Sequence, residues 1–306
     1  MDAYGSWARA SALADYAELS ALVHDQSTLA DIENLIRHYA WGPQLLPHLR
    51  DGDPQGDMEP DLVAEPVRGA ERVALIADER LRVLGDLYPF TWDRNGWKVR
   101  SAPDGDVYLV LLAMTVAHAW HLPVPPGRRV EDLLERTVKR FLLDCGWHAD
   151  LMSTQAGPGG FGARLRRATL PLGLWARVKG QAIRRRARDE GVDVLAASPW
   201  GPRAPRDDRP GTLVLLAQAT CEATDGWKKK LGDPSPKHWG RILGEPGAVV
   251  PALAVPHHAE REHLRWLAAE VDGVIIDRLR LTAGLKATTK DELATLSDVR
   301  DAGVSS

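Results

Sequence analysis

Asp193 stands in the run GVDVLAAS, Gly191–Ser198, whose other members are apolar or small. A carboxylate inside such a strand is costly unless it is paired, hydrogen-bonded or bound to a metal. A second apolar run, TLVLLAQAT at Thr212–Thr220, carries Gln218 near its end. Two neighbouring strands can bring these side chains to one end of a sheet, as the oxygen donors of a divalent cation must be brought together. The plainer alternatives are a turn cap or arginine partner for Asp193, and a strand-end amide for Gln218.

The second feature is electrostatic. From Arg164 to Arg188 the chain holds Arg164, Arg166, Arg167, Arg177, Lys179, Arg184, Arg185, Arg186 and Arg188, with no acid among them. Charge runs are usually solvated faces, but an unmixed one in a chain of net charge −3 favours a polyanion as partner. Other candidates fall away. The loop GPGGFG, Gly157–Gly162, lacks the Lys-Ser/Thr of a P-loop and is read as a mobile loop. His257, His258 and His263 have no HExxH spacing, so zinc is not expected. Cys221 has no evident basic partner and is rejected as a nucleophile. Trp227 and Trp239 are read as packing residues.

Apolar residues at three- and four-residue intervals predict helices over 15–24, 29–38 and 71–84. Asn95-Gly96 between aromatic residues predicts a hairpin. Residues 107–122 are apolar on nearly all sides and read as a buried helix. The stretch PVPPGRR, Pro123–Arg129, cannot continue a helix and marks the expected boundary. Beyond it come an amphipathic helix over 130–146 ended by Gly146, a strand in WHADLMST, and strands at 191–198, 212–220 and 249–255. The first two of those three strands form a hairpin-like pair. WKKKLGDPSPKHWGRIL is partly helical; a helix at 257–270 and a strand at 273–281 close the region.

The expected organisation is therefore a mainly helical N-terminal domain (1–122), an α/β domain with a mixed sheet flanked by helices (123–287) and a polar C-terminal tail, helix-prone at most (288–306). With 306 residues, 44% hydrophobic and 26% charged, the chain can bury a substantial core. Two cysteines make no disulfide framework and point to a reducing compartment. No apolar stretch is long enough for a membrane span, and the N-terminus does not read as a secretory signal. A cytoplasmic protein without a membrane partner is expected.

The segments DEGVDVLA, RPGTLVLLAQAT and WKKKL, in the order helix, strand, strand with Asp, strand with amide, helix, strand, resemble the PD-(D/E)XK superfamily of restriction-type nucleases, most of all its Mrr-like and phage-defence branches. The likeness covers about residues 131–281. It implies a restriction-endonuclease-like fold and a metal-dependent DNA endonuclease acting in bacterial defence, with Mg²⁺ or Mn²⁺ as cofactor. By the resemblance Asp193 is the central metal-binding aspartate and Gln218 stands in place of the second acid. Glu135 matches the acid of the first core helix. The family's lysine two residues after the acid is Thr220 here, and Lys230 on the following helix takes its role, with Lys228 and Lys229 as rivals. Arg164, Arg166, Arg167, Lys179, Arg184, Arg185 and Arg186 would bind backbone phosphates of DNA. Gln218 and Thr220 keep open a second reading, a catalytically weakened subunit that binds DNA or the other subunits of a defence complex. A homo-oligomer and an RNA substrate are further alternatives.

Overall fold

The computed structural model describes residues 3–37, 66–93, 95–100, 106–119, 121–122, 129–153, 160–172, 174–176, 191–198, 211–222, 226–244 and 246–304. At its centre is a mixed five-stranded sheet. Its strands are β4 (His148–Leu151), β6 (Val194–Ala197), β7 (Leu213–Ala219), β9 (Ala248–Ala254) and β10 (Val274–Ile276), in spatial order β10-β9-β7-β6-β4. The first three in sequence, β4, β6 and β7, pair antiparallel; β7, β9 and β10 run parallel. Strands β6 and β7 are the hairpin-like pair that their apolar runs predict.

Helices cover both faces of this sheet, which is why β6 is buried at every position rather than alternately. On one face Val194, Ala196, Leu215, Ala217, Ala252 and Ala254 meet α5 (Val130–Asp144) through Leu133, Leu134 and Val138. On the other, Leu195, Ala197, Val214 and Leu216 meet α6 (Phe161–Thr169) and α8 (Pro236–Ile242). Beside them Leu253 and Ile275 pack on α7 (Trp227–Gly232) and α9 (Arg261–Glu270). Gly146, at φ +87°, ends α5 in a left-handed turn that glycine adopts without strain. A two-stranded pair, β5 (Trp175–Ala176) with β8 (Leu243–Gly244), lies outside the main sheet.

The N-terminal part contains α1 (Ala3–His24), α2 (Leu29–Arg37), α3 (Pro66–Leu84) and α4 (Val107–Ala119). A small antiparallel sheet of β1 (Gln26–Thr28), β3 (Gly96–Val99) and β2 (Phe90–Trp92) accompanies them. The predicted turn at Asn95-Gly96 joins β2 to β3, with the Asn95 N–H donating to Asp93 Oδ1 at 3.0 Å. Trp92 lies opposite Trp97, ring centroids 4.4 Å apart. Helix α4 is buried almost all round, as its composition requires.

Two segments differ from expectation. Residues 273–281 form only the short strand β10, followed by helix α10 (Arg278–Gly284). The reason is Asp277, whose Oδ1 accepts from the Arg280 N–H at 3.1 Å and caps a helix where alternation suggested a continuing strand. The C-terminal residues form helix α11 (Lys290–Val304), with Leu296 and Val299 buried. Thr289 and Glu292 cap its start reciprocally, the Thr289 N–H donating to Glu292 Oε2 at 2.6 Å and the Glu292 N–H to Thr289 Oγ1 at 3.4 Å. No helix among the described residues is long and apolar enough to cross a membrane.

One hydrophobic cluster runs through α1, α3, α4, α5, the sheet, α10 and α11, from Ala10 to Val299. Inside it lies a buried polar network. Arg278 grips Asp15 with two nitrogens at 2.7 and 2.8 Å and donates to the Pro256 carbonyl at 2.7 Å. Arg80 reaches Asp15 at 2.7 Å and Glu18 at 2.7 Å. Tyr88 and Tyr108 donate to Glu18 at 2.5 and 2.8 Å. Burial pushes the Asp15 carboxyl upward, but Arg278 and Arg80 outweigh it and hold the group well below the usual carboxylate range.

Candidate active site at the carboxyl end of strand β7

Antiparallel pairing puts the N-terminal end of β6 beside the C-terminal ends of β4 and β7. Asp193 sits just before β6 rather than within it. Its N–H donates to the Ala217 carbonyl at 2.9 Å, and its own carbonyl accepts from Met152 N–H at 2.7 Å and Ser153 N–H at 3.4 Å. The register of β6 with β7 begins at Val194 and Ala217, and Asp193, one residue earlier, still meets Ala217, next to Gln218 in the chain. Gln218, in step with Val214 and Leu216 along β7, lies on their face of the sheet. That face is the one covered by α6, α7, α8 and α9.

The Asp193 side chain folds onto the neighbouring strand, Oδ2 accepting from the Ala219 N–H at 2.9 Å. The carboxylate thus satisfies a ladder donor at the point where β6 has not yet begun. Gln218, 9% exposed, donates from Nε2 to the Gly191 carbonyl at 2.7 Å. Its amide nitrogen is used within the fold, which leaves the carbonyl oxygen as the end that can meet a cation. Gly191 has φ +73°, and a Cβ there would lie 3.0 Å from Gln218 Nε2. The positive φ favours glycine, and any larger residue would also press on Gln218.

Lys230 comes from α7. Its Nζ donates to Thr220 Oγ1 at 2.9 Å and lies 3.2 Å from Glu222. Thr220, 1% exposed, stands two residues after Gln218 and so on the same side of the strand's path. Lys228 points elsewhere, to Glu270 at 2.8 Å and over the Trp266 ring at 5.1 Å. Lys229 is exposed. Of the three lysines, Lys230 is the one that reaches β7.

Glu135 approaches the same end of the sheet from the opposite face. It is 8% exposed on α5 and accepts a short hydrogen bond from Ser153 Oγ. Because the Ser153 N–H meets the Asp193 carbonyl, Glu135 and Asp193 are linked through a single residue. Asp193, Gln218, Thr220, Lys230 and, from behind, Glu135 are therefore brought to one end of the sheet. Among the described residues no group of three or more His, Cys, Asp and Glu side chains is gathered as a metal site.

One turn before Glu135, Glu131 lies 3.3 Å from His118 Nδ1. The hydrogen bond from His118 is the main reason its carboxyl is lowered to about 2. Burial drives the Cys221 thiol well above its ordinary range, in keeping with a packing role. The three histidines also serve the fold. His257 Nε2 lies 2.9 Å from the Cys221 carbonyl, His258 Nδ1 accepts from Arg80 Nε at 3.3 Å, and the His263 ring lies 5.3 Å from that of Trp227.

The basic run divides. Arg166 and Arg167 are exposed on α6. Arg164 is not a surface residue: it is 6% exposed and donates from Nε to the Met152 carbonyl at 3.0 Å, tying α6 to the end of β4. Helical periodicity explains this, since Arg164 shares the buried stripe of α6 with Phe161, Leu165 and Ala168. Arg177, Lys179, Arg184, Arg185, Arg186 and Arg188 lie outside the described residues, as do residues 157–159 of the glycine loop.

Reasoning from sequence missed Gly191, Ser153 and the positive part of Thr220's role. Gly191 had a signal, a glycine opening an apolar run after two charged residues. Ser153 had none, because its link to Glu135 joins a strand end to a helix. Comparison with protein-family models, with curated proteins and with solved structures yields no match.

Proposed function

We propose that this protein is a metal-dependent DNA endonuclease of the PD-(D/E)XK type, with defence against foreign DNA as its setting. The observation that carries the reading is the Lys230 ammonium, 2.9 Å from the hydroxyl of Thr220, at the strand position where the resemblance calls for a lysine. A helix has delivered the charge that the strand lacks. Two further observations support it. Asp193 bonds to Ala217 and Ala219, the two chain neighbours of Gln218, and so lies beside it at the end of β7. The element order also fits: α5, then the antiparallel β4, β6 and β7, then helices α7 and α8, then the parallel strand β9, the restriction-endonuclease-like order expected from the sequence.

Mg²⁺ in phosphate-handling sites is held through one or two carboxylates together with water and substrate phosphate. Asp193 and the Gln218 carbonyl oxygen, with Glu135 reaching the same sheet end from the other face, are the groups that would hold such an ion. A bound Mg²⁺ or Mn²⁺ supplies polarisation of the scissile phosphate and a water of lowered pKa. Lys230 contributes a fixed positive charge at the end of β7, where charge builds on the phosphate as its ester bond breaks. Thr220 holds that ammonium in place. Ser153 and the Ala219 N–H orient the two carboxylates.

A second reading, a weakened nuclease-like subunit that binds DNA or partner proteins, is favoured by Gln218 itself. It brings no charge, and its amide is already engaged with Gly191. Incubation of supercoiled plasmid with Mg²⁺ or Mn²⁺ separates the two. Cleavage by the wild type that is lost in Asp193→Ala and Lys230→Ala supports the enzyme; DNA binding without cleavage by any form supports the subunit.

A further inference from the structure

Three helices that cover one face of the central sheet share a charge pattern. Residues 160–172 and 226–244, which contain α6, α7 and α8, hold eight lysines and arginines against one acid, Asp233. Arg166 and Arg167 on α6, Lys229 on α7, and Lys237 and Arg241 on α8 are exposed. None of these five makes an ion pair with another described residue. The opposite face contrasts with this. On α5, Arg136, Lys139 and Arg140 each meet an acid, Asp291, Asp150 and Glu292, at 3.5, 2.6 and 2.7 Å. Unpaired cations gathered on one side of a slightly acidic protein make a local positive field that the net charge hides.

The helices are held together by their buried sides. Phe161 of α6 meets Trp239 of α8 edge to face at 6.0 Å, both inside one apolar cluster. Ser235 caps α8 directly after α7. Their outward sides face away from the same face of the sheet, and Lys230 of α7 reaches Thr220 at the end of β7.

We propose that this surface, carried by Arg166, Arg167, Lys229, Lys237 and Arg241, engages the phosphate backbone of duplex nucleic acid without reading its sequence. The inference rests on the proposed phosphodiester chemistry for its choice of polymer and names the surface that presents it. The aromatic residues decide between duplex and single strand. Phe161, Trp227 and Trp239 are all turned into the core, at 4%, 0% and 0% exposure. Among the described residues, the exposed tryptophan nearby is Trp266, and the Lys228 ammonium lies 5.1 Å over its ring. A surface that binds unstacked bases needs aromatic platforms. Among the described residues exposed on these three helices the charged ones are cations and none is aromatic, which suits backbone contacts.

The test measures binding rather than cleavage. Asp193→Ala protein in EDTA is titrated with a labelled 25-base-pair DNA duplex, the matching RNA duplex and a single strand, between 50 and 200 mM salt. Four phosphate contacts give a log–log salt slope of about −3.6, or about a 100-fold loss of affinity across that range. The variant Arg166→Ala/Arg167→Ala/Lys237→Ala/Arg241→Ala should reduce the slope by about 3 to 4 and weaken binding equally for unrelated duplex sequences. A Lys286→Ala/Lys290→Ala control, exposed cations near α11, should leave it unchanged. Equal loss on DNA and RNA duplexes assigns the surface to the phosphate backbone they share; loss on DNA alone narrows it to that polymer. The proposal is overturned if the Asp193→Ala protein binds no duplex at 50 mM salt, prefers the single strand, or loses as much affinity in the control as in the four-site variant. Absence of cleavage by the wild type counts against the nuclease reading alone.

Discussion

At the scale of single residues, the site is notable for how its groups are held. Asp193 and Gln218 are both anchored to backbone, one through the Ala219 N–H and one through the Gly191 carbonyl. Lys230 is anchored to a side chain, Thr220. Loss of the ammonium in Lys230→Ala is expected to lower plasmid cleavage by about 100-fold or more. Thr220→Val keeps the shape and the charge but removes the hydroxyl, so its loss should be smaller. A Thr220→Val protein as inactive as Lys230→Ala would mean that the hydroxyl itself takes part. Glu131 yields a pH prediction. Its folded-state pKa is depressed from 4.5 to about 2 by His118, so its contribution to stability is present above 4.5 and lost as pH falls towards 2. Denaturant midpoints of Glu131→Gln should therefore fall less than those of the wild type between pH 5 and 2 (the range set by these values). Parallel curves would show that the pair adds nothing in solution.

Secondary-structure elements place these groups, and their boundaries matter more than their interiors. Asp193 stands just ahead of the β6 ladder, which starts one residue later, and Gln218 stands one residue before β7 ends. The turn into β6 depends on Gly191. Gly191→Ala puts a Cβ at positive φ and 3.0 Å from Gln218 Nε2. The strain is expected to cost about 1–2 kcal/mol in thermal or chemical unfolding. If Gln218 is a site residue, cleavage should fall by more than the folded fraction does. Cleavage falling only in step with folding would remove Gln218 from the site. The helix α7 is a second case. WKKKL is too short to form alone, and it is held by the burial of Trp227 and Leu231 against β9 and α9. Those two residues fix its rotation, and rotation selects Lys230 over Lys228 and Lys229.

Across the whole molecule, the N-terminal helices and the sheet share one core, and the Asp15–Arg278 pair crosses between them. Both side chains are almost fully buried, at 4% and 0%. Removing Arg278 takes two hydrogen bonds from the buried Asp15 carboxylate and leaves Arg80 as its one remaining cation among the described residues. Arg278→Ala is therefore expected to lose about 3–5 kcal/mol of stability, measured by denaturant unfolding. A chain starting at residue 123 should fail to fold cooperatively, because it lacks Asp15, Glu18 and the apolar faces of α1 and α4. A sharp calorimetric transition from that fragment would show that the sheet stands without them.

The sequence alone determined the elements that rest on short-range chemistry. Asn95-Gly96 specified its hairpin, the apolar runs at 194–197 and 213–219 their strands, and the uninterrupted apolar helix α4 its burial. It also singled out Asp193, because a carboxylate among apolar neighbours is costly wherever the chain goes. Tertiary structure decided the rest. Which lysine of the triplet reaches the strand depends on how α7 is rotated against β9. Whether Arg164 faces water depends on which stripe of α6 the sheet covers. Residues 273–281 changed from strand to helix at Asp277, where a cap outweighed an alternating pattern. Each outcome is set by packing between segments distant in sequence, and local residue order does not contain that information.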